Sequence, residues 1–439
     1  MTDHRYSILM TAANIPLMET STRDEIQDNQ LNALKELLHY ASRRSAFYQR
    51  HFKTNNIDVN TINSLTDLAR IPTTDKNDLQ RYQRELWCVS AKDIVEYCST
   101  SGTEGKAVTA PLTAGDIKRL TYNEAISLAC AGGDPNETYQ LTTTVDRQFM
   151  AGLAYTLGAR ALGAGMVRVG PGLPQLQWKT IEEVKPTALI VVPSFLIKLI
   201  EFAEKEGIDY QESSIRKAIC IGEPVRNNDF SYNAAGRRIT EKWNITLYST
   251  YASTEMATAF TECEQGRGGH LHPELVIAEI LDEKGAAVNP GEVGELTITT
   301  LGVEGMPLIR FKTGDMCALY TEPCSCGRNT PRVGPVVGRK HQLIKYKGTT
   351  CYPPALFDLL DNDSRIKLYQ VIASSDNFGN DQLTVRYAVS GALDKMQLAD
   401  NFKAQLRVTP ELEEVALGQL FSDVHPKTSR KPVKFLDNR

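Results

Sequence analysis

Short apolar runs alternate with helical segments through the middle of the chain, and this alternation limits the folds open to it. Thr187–Pro193 (TALIVVP) and Ala218–Gly222 (AICIG) have the length and composition of buried strands, and the pattern at Phe195–Glu204 between them is helical. A strand, a helix and a second strand in this order form a right-handed unit whose strands lie parallel in a buried sheet. The sequence therefore predicts an α/β fold built on a parallel sheet between about residues 140 and 260.

Two further stretches extend this prediction on either side. Thr22-Arg-Asp-Glu25 has the residues of a capping box, and apolar residues then recur at helical spacing, which predicts an amphipathic helix from about 22 to 44. In Glu274–Asp282 and Gly294–Thr300 the residues alternate or are β-branched, and a Pro-Gly turn separates the two runs. This pattern is typical of an antiparallel sheet, so we expect a β-rich subdomain after the parallel sheet.

The length of the chain, 439 residues, exceeds that of one ordinary domain, and its final segment has a secondary-structure pattern that differs from the rest. Strands such as Leu343–Tyr346 and Leu383–Val389 are mixed there with helical patterns. A segment of about a hundred residues is long enough to fold as a small domain. We expect a large N-terminal domain (residues 1–338) of parallel and mixed sheets with flanking helices plus the β-rich subdomain, and a small mobile α+β C-terminal domain (residues 339–439).

The charge and cysteine content exclude several classes of protein. The formal net charge is −4, without the basic patch that nucleic-acid and membrane-surface binders normally carry. No apolar run approaches the ~20 residues that span a bilayer, and the first residues lack the pattern of a signal peptide. The nine cysteines lack the spacing of a disulfide framework, as expected in a reducing compartment. We therefore expect a cytoplasmic protein that binds neither nucleic acid nor membrane.

The stretch Cys98–Lys106 (CSTSGTEGK) is the most informative motif. Two glycines, several hydroxyls and a lysine within nine residues can wrap a polyphosphate with backbone N–H groups and an ammonium. It is not a Walker A loop, because only two residues separate Gly102 from Gly105 and alanine follows Lys106. Taken alone, the motif also fits a surface turn rich in Ser, Thr and Gly.

Five further motifs follow this loop in an order and spacing that belong to a known family. They are Gly222-Glu-Pro224, Tyr251-Ala-Ser-Thr-Glu255, Arg310-Phe-Lys-Thr-Gly-Asp315, Val337-Gly-Arg339 with Lys345-Tyr-Lys-Gly348, and Pro426-Lys-Thr-Ser-Arg-Lys431. With the loop, they resemble the signatures of the adenylate-forming superfamily of acyl-CoA synthetases, luciferases and peptide-synthetase adenylation domains. The resemblance covers nearly the whole chain and is greatest to the phenylacetate–CoA ligase-like branch.

The resemblance implies an ATP-dependent acid–CoA ligase, which makes an acyl-AMP and pyrophosphate, and then acyl-CoA and AMP. It implies that Tyr251 stacks on adenine, that Glu255 holds Mg²⁺ and that Asp315 binds the ribose hydroxyls. Lys431 corresponds to the adenylation lysine, and Lys106 and Glu255 complete the expected catalytic set. Nucleotide binding is implied for Ser99, Thr100, Ser101, Gly102, Thr103, Gly105, Gly222, Glu223, Pro224, Tyr251, Ser253, Thr254, Asp315 and Arg339.

These assignments agree with the electrostatics of the reaction. A carboxylate that attacks the α-phosphate of ATP brings two anions together, so positive charge has to stand where negative charge develops. In the family the C-terminal domain rotates between the two half-reactions, which withdraws the lysine and opens a channel for the CoA thiol. The resemblance places Gly348 in that channel, where the absence of a side chain lets the pantetheine approach the backbone.

The chain departs from the family pattern at several positions. Glu104 stands where a second Thr is usual, and Ala252 replaces the Gly of the tyrosine motif. At the hinge, Lys340-His341 stands where the family usually has an acidic residue, so the pivot residue stays open. None of these changes removes a charge that the chemistry requires.

Four residues with soft side chains suggest a metal site. Cys263, His270, Cys324 and Cys326 form a Cys₃His set, which is common in structural zinc sites with four protein ligands. His272 is a competing ligand, and His270 matches the histidine of a GLH motif that some members of the branch carry. The alternative is that these are ordinary buried thiols in a reducing compartment. A zinc ion here would pin loops and take no part in catalysis.

The family branch implies that the small carboxylic acid substrate is an aryl or arylacetic acid. Two other functions stay open: an adenylating enzyme that loads the thiol of a carrier protein, and a nucleotide-binding protein without turnover. The presence of Lys431, Glu255, Lys106 and Asp315 argues against a degenerate protein. The expected partners are thus the acid, ATP and CoA, and a homodimer stays open.

Overall fold

The computed structural model describes residues 15–100, 107–346, 349–376, 380–426 and 432–439. Contacts within the chain divide it into two compact units. The first unit runs to Pro335 and the second from Val336 to Arg439, with Asn233–Ala235 and Gly314–Met316 assigned to the second. The predicted domain boundary after residue 338 lies three residues beyond the point where the chain passes between the units, and it stays a prediction.

The secondary structure alternates between helices and short strands. The helices are α1 (Leu17–Thr20), α2 (Arg23–Arg44), α3 (Ala46–Thr54), α4 (Lys76–Tyr82), α5 (Ala114–Cys130), α6 (Met150–Ala161), α7 (Pro174–Val184), α8 (Pro193–Glu206), α9 (Ala234–Lys242), α10 (Pro353–Asp361), α11 (Lys395–Leu406) and α12 (Leu417–Val424). The strands are β1 (Ile94–Ser99), β2 (Thr109–Thr113), β3 (Thr138–Leu141), β4 (Gly165–Arg168), β5 (Ala188–Val191), β6 (Lys217–Cys220), β7 (Thr246–Ser253), β8 (Thr258–Thr261), β9 (Gly269–His270), β10 (Val276–Leu281), β11 (Val293–Thr300), β12 (Phe311–Tyr320), β13 (Arg332–Val333), β14 (Gly338–Arg339), β15 (Ile344–Tyr346), β16 (Thr349–Cys351), β17 (Ile366–Ser375), β18 (Asp381–Val389), β19 (Glu411–Glu414) and β20 (Phe435–Asp437).

The predicted N-terminal helix is α2, and its start is set by the predicted capping box. The Thr22 hydroxyl accepts the backbone N–H of Glu25, and the Glu25 carboxylate accepts the backbone N–H of Thr22. This exchange satisfies two of the N–H groups that the first turn of a helix leaves without partners. The helix then buries one apolar face of Ile26, Leu34, Leu37, Leu38 and Ala41.

The predicted parallel sheet forms the centre of the first unit, in the order β4-β3-β5-β6-β7-β8. Neighbours from β4 to β7 pair in parallel, and β8 pairs antiparallel with β7. Successive residues of β5 face opposite sides: Leu189 and Val191 pack in a cluster with α7 and α8, and Ala188 and Ile190 in one with α5 and α6. Because both faces are covered, every residue of β5 is buried and its sequence is continuously apolar.

The predicted β-rich subdomain follows in the same unit. Strands β10 and β11 pair antiparallel, from Val276 opposite Thr300 to Leu281 opposite Glu295. The sheet continues through β12 and β13 to β9, and both of these last pairings are antiparallel. This arrangement confirms the prediction made from alternation and turns.

The second unit has its own core and is an α+β fold, as predicted. Its main sheet has the order β19-β18-β17-β20, in which β17 and β18 are antiparallel and the two outer strands run parallel to their neighbours. Helices α10 and α11 contribute Leu356, Leu360, Leu398 and Phe402 to one apolar cluster with the sheet. Within the described ranges, every helix is too short or too polar to cross a lipid bilayer.

Candidate active site and candidate metal centre

Three loops of the first unit meet at the carboxyl edge of the parallel sheet. Strands β5, β6 and β7 run in the same direction in register, with Val191 beside Cys220 and Cys220 beside Ser249. Residues that follow these strands therefore lie at one edge of the sheet, the edge at which open α/β sheets bind their ligands. The predicted segments Gly222–Pro224 and Tyr251–Glu255 are at the ends of β6 and β7.

A charged contact that the sequence did not reveal anchors the Gly222–Pro224 turn. Ser194, in the first turn of α8 beyond β5, donates its backbone N–H and its hydroxyl to the two carboxylate oxygens of Glu223, each over 2.9 Å. The positive end of the helix dipole favours a carboxylate at this place. Gly222 has φ +74°, where a residue with a Cβ would be strained. The Glu223 side chain thus holds the turn, and the backbone of the turn lines the edge of the sheet.

The Tyr251–Glu255 segment ends β7 and turns into β8. The Tyr251 ring stacks on Phe260 across the strand pair, with ring centroids 6.1 Å apart. Ser253 Oγ accepts the backbone N–H of Met256 over 3.4 Å, and the Met256 side chain is fully buried. Thr254 and Glu255 are half-buried in the turn between the strands. The turn is therefore pinned at its base by the apolar Met256 side chain.

Only the two ends of the predicted hydroxyl loop are described. Strands β1 and β2 form an antiparallel pair, with Ser99 opposite Thr109. Thr100 donates its N–H to the Val108 carbonyl over 3.0 Å, and Thr100 Oγ1 accepts the Val108 N–H over 2.9 Å. Ser99 donates its N–H to the carbonyl of Gln148, whose φ is +59°. The ends of the loop are thus closed by the hairpin; the predicted residues Ser101, Gly102, Thr103, Gly105 and Lys106 lie outside the described residues.

The second unit contains two further predicted residues. Asp315 and Arg339 are opposite each other in the antiparallel pair of β12 and β14, and Arg339 Nε lies 3.3 Å from Asp315 Oδ1. The carboxylate is mostly buried, whereas the guanidinium is more than a third exposed. Gly348 and Lys431 are outside the described residues, so their assigned roles stay predictions.

The four predicted metal ligands come together in the first unit. The Sγ atoms of Cys263, Cys324 and Cys326 and a ring nitrogen of His270 all lie within 4.8 Å of one another. Cys263 Sγ is 3.7 Å from Cys324 Sγ, and Cys326 Sγ is 3.5 Å from His270 Nε2. Zinc bonds of about 2.3 Å to sulfur and 2.05 Å to nitrogen, at tetrahedral angles, place two sulfurs about 3.8 Å apart and sulfur and nitrogen about 3.6 Å apart. The donor set and its spacing therefore fit a tetrahedral zinc ion.

The surroundings of the cluster orient its ligands. His270 Nδ1 lies 3.0 Å from Thr330 Oγ1, which leaves Nε2 directed at the sulfurs. In zinc sites a hydrogen bond to the other ring nitrogen orients a histidine ligand in this way. The hydrogen bond with Cys263 lowers the pKa of Cys326, while the same bond raises the pKa of Cys263. Arg328 Nη1 lies 3.6 Å from Cys326 Sγ, so a cation stands beside this thiol.

His272, the competing ligand, is engaged elsewhere. Its Nδ1 lies 2.6 Å from Glu19 Oε1 and its Nε2 lies 3.0 Å from Ser127 Oγ. Glu19 also accepts from Arg328 Nε over 2.6 Å, and its side chain is completely buried. A buried network of Glu19, His272 and Arg328 therefore joins α1 to the loop that carries Cys324 and Cys326. Glu19 and Arg328 are 309 residues apart, and no local sequence signal links them.

Comparison with known proteins gives a consistent result. The family model described as "AMP-binding enzyme" matches residues 10–305. The chain is 32% identical to a phenylacetate–coenzyme A ligase from Thermus thermophilus, over 77% of this chain and 76% of that one. It is 28% identical to the Escherichia coli phenylacetate–coenzyme A ligase over 79% of each chain. A third phenylacetate–coenzyme A ligase, from Aromatoleum evansii, is 25% identical over 93% of this chain and 89% of its own length.

Solved structures have the same fold. A 2-hydroxyisobutyryl-CoA ligase in the postadenylation state, in complex with 2-HIB-AMP, aligns with a TM-score of 0.85 at 22% identity. The alignment covers 99% of this chain and 94% of that structure. The same ligase in its thioesterification state, with 2-HIB-AMP and CoA, aligns with a TM-score of 0.72 at 23% identity over the same shares.

Proposed function

This chain belongs to the family of AMP-binding enzymes and is an AMP-forming acid–CoA ligase, and we propose that it activates an aryl or arylacetic acid. The reaction joins the acid to AMP with release of pyrophosphate, and the acyl group then passes to CoA. The names of the relatives, which are phenylacetate–CoA ligases, support both the arylacetic acid and free CoA as the acceptor instead of a carrier protein.

The observation that carries the proposal is the meeting of the Gly222–Pro224 turn and the Tyr251–Glu255 turn at one edge of the parallel sheet. An adenine can lie along the backbone of the first turn against the Tyr251 ring, since an aromatic face and backbone groups suit a flat heterocycle. Glu255 supplies a carboxylate oxygen, the ligand type that Mg²⁺ prefers. Bound Mg²⁺ would neutralise charge on the phosphates of ATP.

The remaining roles rest on the family motifs. Lys431 bridges the substrate carboxylate and the α-phosphate, and Lys106 with the hydroxyls of the Ser99–Thr103 loop stabilises the departing pyrophosphate. Asp315 accepts hydrogen bonds from the two ribose hydroxyls, and its contact with Arg339 holds this carboxylate in place. The chain folds as a core of residues 1–338 and a mobile domain of residues 339–439, which removes Lys431 after adenylation so that the CoA thiol reaches the acyl-AMP past Gly348.

A screen of pyrophosphate release over aryl, arylacetic, aliphatic and amino acids, with and without CoA, tests the substrate proposal. We expect release with arylacetic acids and conversion to the acyl-CoA, detected by mass. With the best acid, Lys431→Ala should abolish acyl-AMP formation but spare thioester formation from supplied acyl-AMP. Equal loss of both half-reactions in single-turnover assays would contradict the role of Lys431. Light scattering during gel filtration tests whether the protein forms a homodimer, which the sequence leaves open.

The Cys₃His cluster is a structural zinc site in this proposal. All four donors are protein side chains within tetrahedral spacing, and three of them are buried, so a bound ion has no open position for a substrate. We expect one zinc per chain by metal analysis, and a large fall in unfolding temperature in strong chelator. Substoichiometric zinc together with chelator-independent stability would contradict the site, and Cys220→Ser, at a buried cysteine outside the cluster, is the control.

A further inference from the structure

Helix α5 is buried, yet one of its faces carries a row of polar side chains. Arg119, Asn123 and Ser127 are at most 1% exposed and recur every four residues, so they lie on one face. Asn123 Oδ1 accepts the N–H of Ala259 over 3.2 Å, and Ser127 Oγ donates to the Ala259 carbonyl over 3.3 Å. Since β8 is the last strand of its sheet, these side chains satisfy backbone groups on its outer edge.

Arg119 extends this row to the turn that precedes β8. Its Nη1 donates to the carbonyl of Ala257 over 2.8 Å, and its Nη2 to Thr258 Oγ1 over 3.1 Å. Nε and Nη2 also donate to the carbonyls of Leu301 and Leu275, each over 2.7 Å. A guanidinium offers five N–H donors in a rigid fork, so this one side chain fastens three segments of backbone to each other.

The turn that Arg119 holds has an unfavourable backbone conformation. Ala257 has φ +47°, in the left-handed region that residues with a Cβ rarely occupy. Such a conformation persists where the surrounding contacts determine it, and strained residues concentrate at functional sites. Glu255 lies two residues before Ala257 in this turn. The position of its carboxylate therefore depends on the contacts that keep Ala257 in place.

Helix α5 is also connected to the hairpin that closes the hydroxyl loop. Ser99 and Thr109 pair at the loop end of this hairpin, and Thr113, which pairs with Ile94 at its other end, is the N-cap of α5. One rigid helix thus connects the hairpin that closes the hydroxyl loop to the turn that carries Glu255. We propose that Arg119 is a positioning residue, which sets the place of the Mg²⁺-binding Glu255 by holding the turn before β8. The inference rests on the proposed role of Glu255 and goes beyond it.

The test compares the binding of a non-hydrolysable ATP analogue with and without Mg²⁺, by calorimetry, in the wild-type protein and in Arg119→Lys. Lysine keeps the charge but lacks the fork. We expect the Mg²⁺-dependent gain in affinity to fall by about ten- to a hundred-fold, the usual effect of removing a residue that holds a metal ligand in place. The affinity for AMP without Mg²⁺ should stay the same. The Mg²⁺ concentration for half-maximal pyrophosphate release should rise by a similar factor.

Lys217→Gln is the matched control for lost stability. Lys217 is a buried cation whose Nζ lies 2.6 Å from Glu137 Oε1 and donates to the Gly132 carbonyl over 2.7 Å, at the amino end of β6 and so at the opposite edge of the sheet. The Lys217→Gln substitution should lower the unfolding temperature without changing the Mg²⁺ dependence of nucleotide binding. A folded Arg119→Lys with wild-type Mg²⁺ dependence would overturn the inference.

A second pair of variants tests the turn without touching Arg119. Ala257→Gly relieves the left-handed strain and should keep the Mg²⁺ dependence, whereas the β-branched Ala257→Val should weaken it as Arg119→Lys does. If Arg119→Lys does not fold, equal Mg²⁺ dependence in the two Ala257 variants overturns the inference. A wild-type protein that binds ATP but ignores Mg²⁺ also overturns it, whereas one that binds no nucleotide contradicts the proposed function itself.

Discussion

A buried carboxyl on α5 makes the stability of the first unit dependent on pH. Glu124 is 4% exposed, and its Oε1 accepts a hydrogen bond from Asn123 over 3.3 Å. Among the described residues, its Oε2 has no hydrogen-bond partner. Burial raises the pKa of Glu124 from its usual 4.5 to about 8. The carboxyl is therefore protonated in the folded chain at a pH at which the unfolded chain has already released the proton.

The sign and size of the effect follow from linkage. Between pH 4.5 and about 8 the folded state binds one proton more than the unfolded state at this group, so the free energy of unfolding falls as pH rises. Each pH unit in this window lowers the free energy of unfolding by about 1.4 kcal/mol, so the loss over the whole window is at most about 5 kcal/mol. This is comparable with the total stability of many domains, about 5–15 kcal/mol. Glu124→Gln removes the titration with almost no change in shape.

Urea unfolding at pH 5 and pH 8 measures the effect. All three tryptophans, Trp87, Trp178 and Trp243, belong to the first unit, so their fluorescence reports its unfolding. We expect the free energy of unfolding of Glu124→Gln, relative to that of wild type, to be several kcal/mol higher at pH 8 than at pH 5. The variant should therefore be the more stable protein at pH 8. Glu182→Gln, at an exposed position, is the control and should parallel wild type. A wild-type–variant difference that is the same at both pH values would refute the reasoning.

Three further predictions test contacts of the first unit. Gly158→Ala should destabilise it by about 1–3 kcal/mol in urea unfolding, since the added Cβ would stand 2.3 Å from Glu124 Cβ and 2.8 Å from the Glu124 backbone carbon. Arg328→Met leaves the buried Glu19 carboxylate without its guanidinium partner and should lower the free energy of unfolding by about 3–5 kcal/mol. Adding Glu19→Gln should restore part of this stability, because the unpaired charge is then gone. A double variant whose loss equals the sum of the two single losses would count against the pair. Glu223→Gln weakens two exposed hydrogen bonds, which together contribute about 1 kcal/mol or less, so the KM for ATP should rise about five-fold at most. A much larger rise would mean that the carboxylate contacts the nucleotide.

The elements that could be predicted are those whose signals are local. The capping box at Thr22–Glu25 depends on atoms three residues apart, and the structure contains it. The apolar run at Thr187–Pro193 predicted a buried strand because covering a parallel sheet on both faces demands continuous hydrophobicity, and β5 is buried throughout. The motif residues were found through spacing and family resemblance, which require no knowledge of contacts.

The contacts that support the site were not predictable in the same way. Arg119 lies in an ordinary helical pattern, and its partners are between 138 and 182 residues away along the chain. The role of Ser194 as the anchor of Glu223 depends on the parallel order of β5 and β6. A guanidinium or hydroxyl has the same sequence signature whether it faces water or a distant carbonyl, so only the packing distinguishes the two.

By itself, the sequence determined the class of fold, the family, and the order in which the glycine-rich turns, the Tyr251–Glu255 segment and the Cys₃His residues follow each other. Local periodicity and fixed spacing are properties of the chain alone. The tertiary structure decided that His270 and not His272 faces the three sulfurs, and that a buried Arg119 holds the turn beside Glu255. These outcomes depend on which distant backbone groups lose their water on folding and need a partner, and that is settled only when the elements have packed.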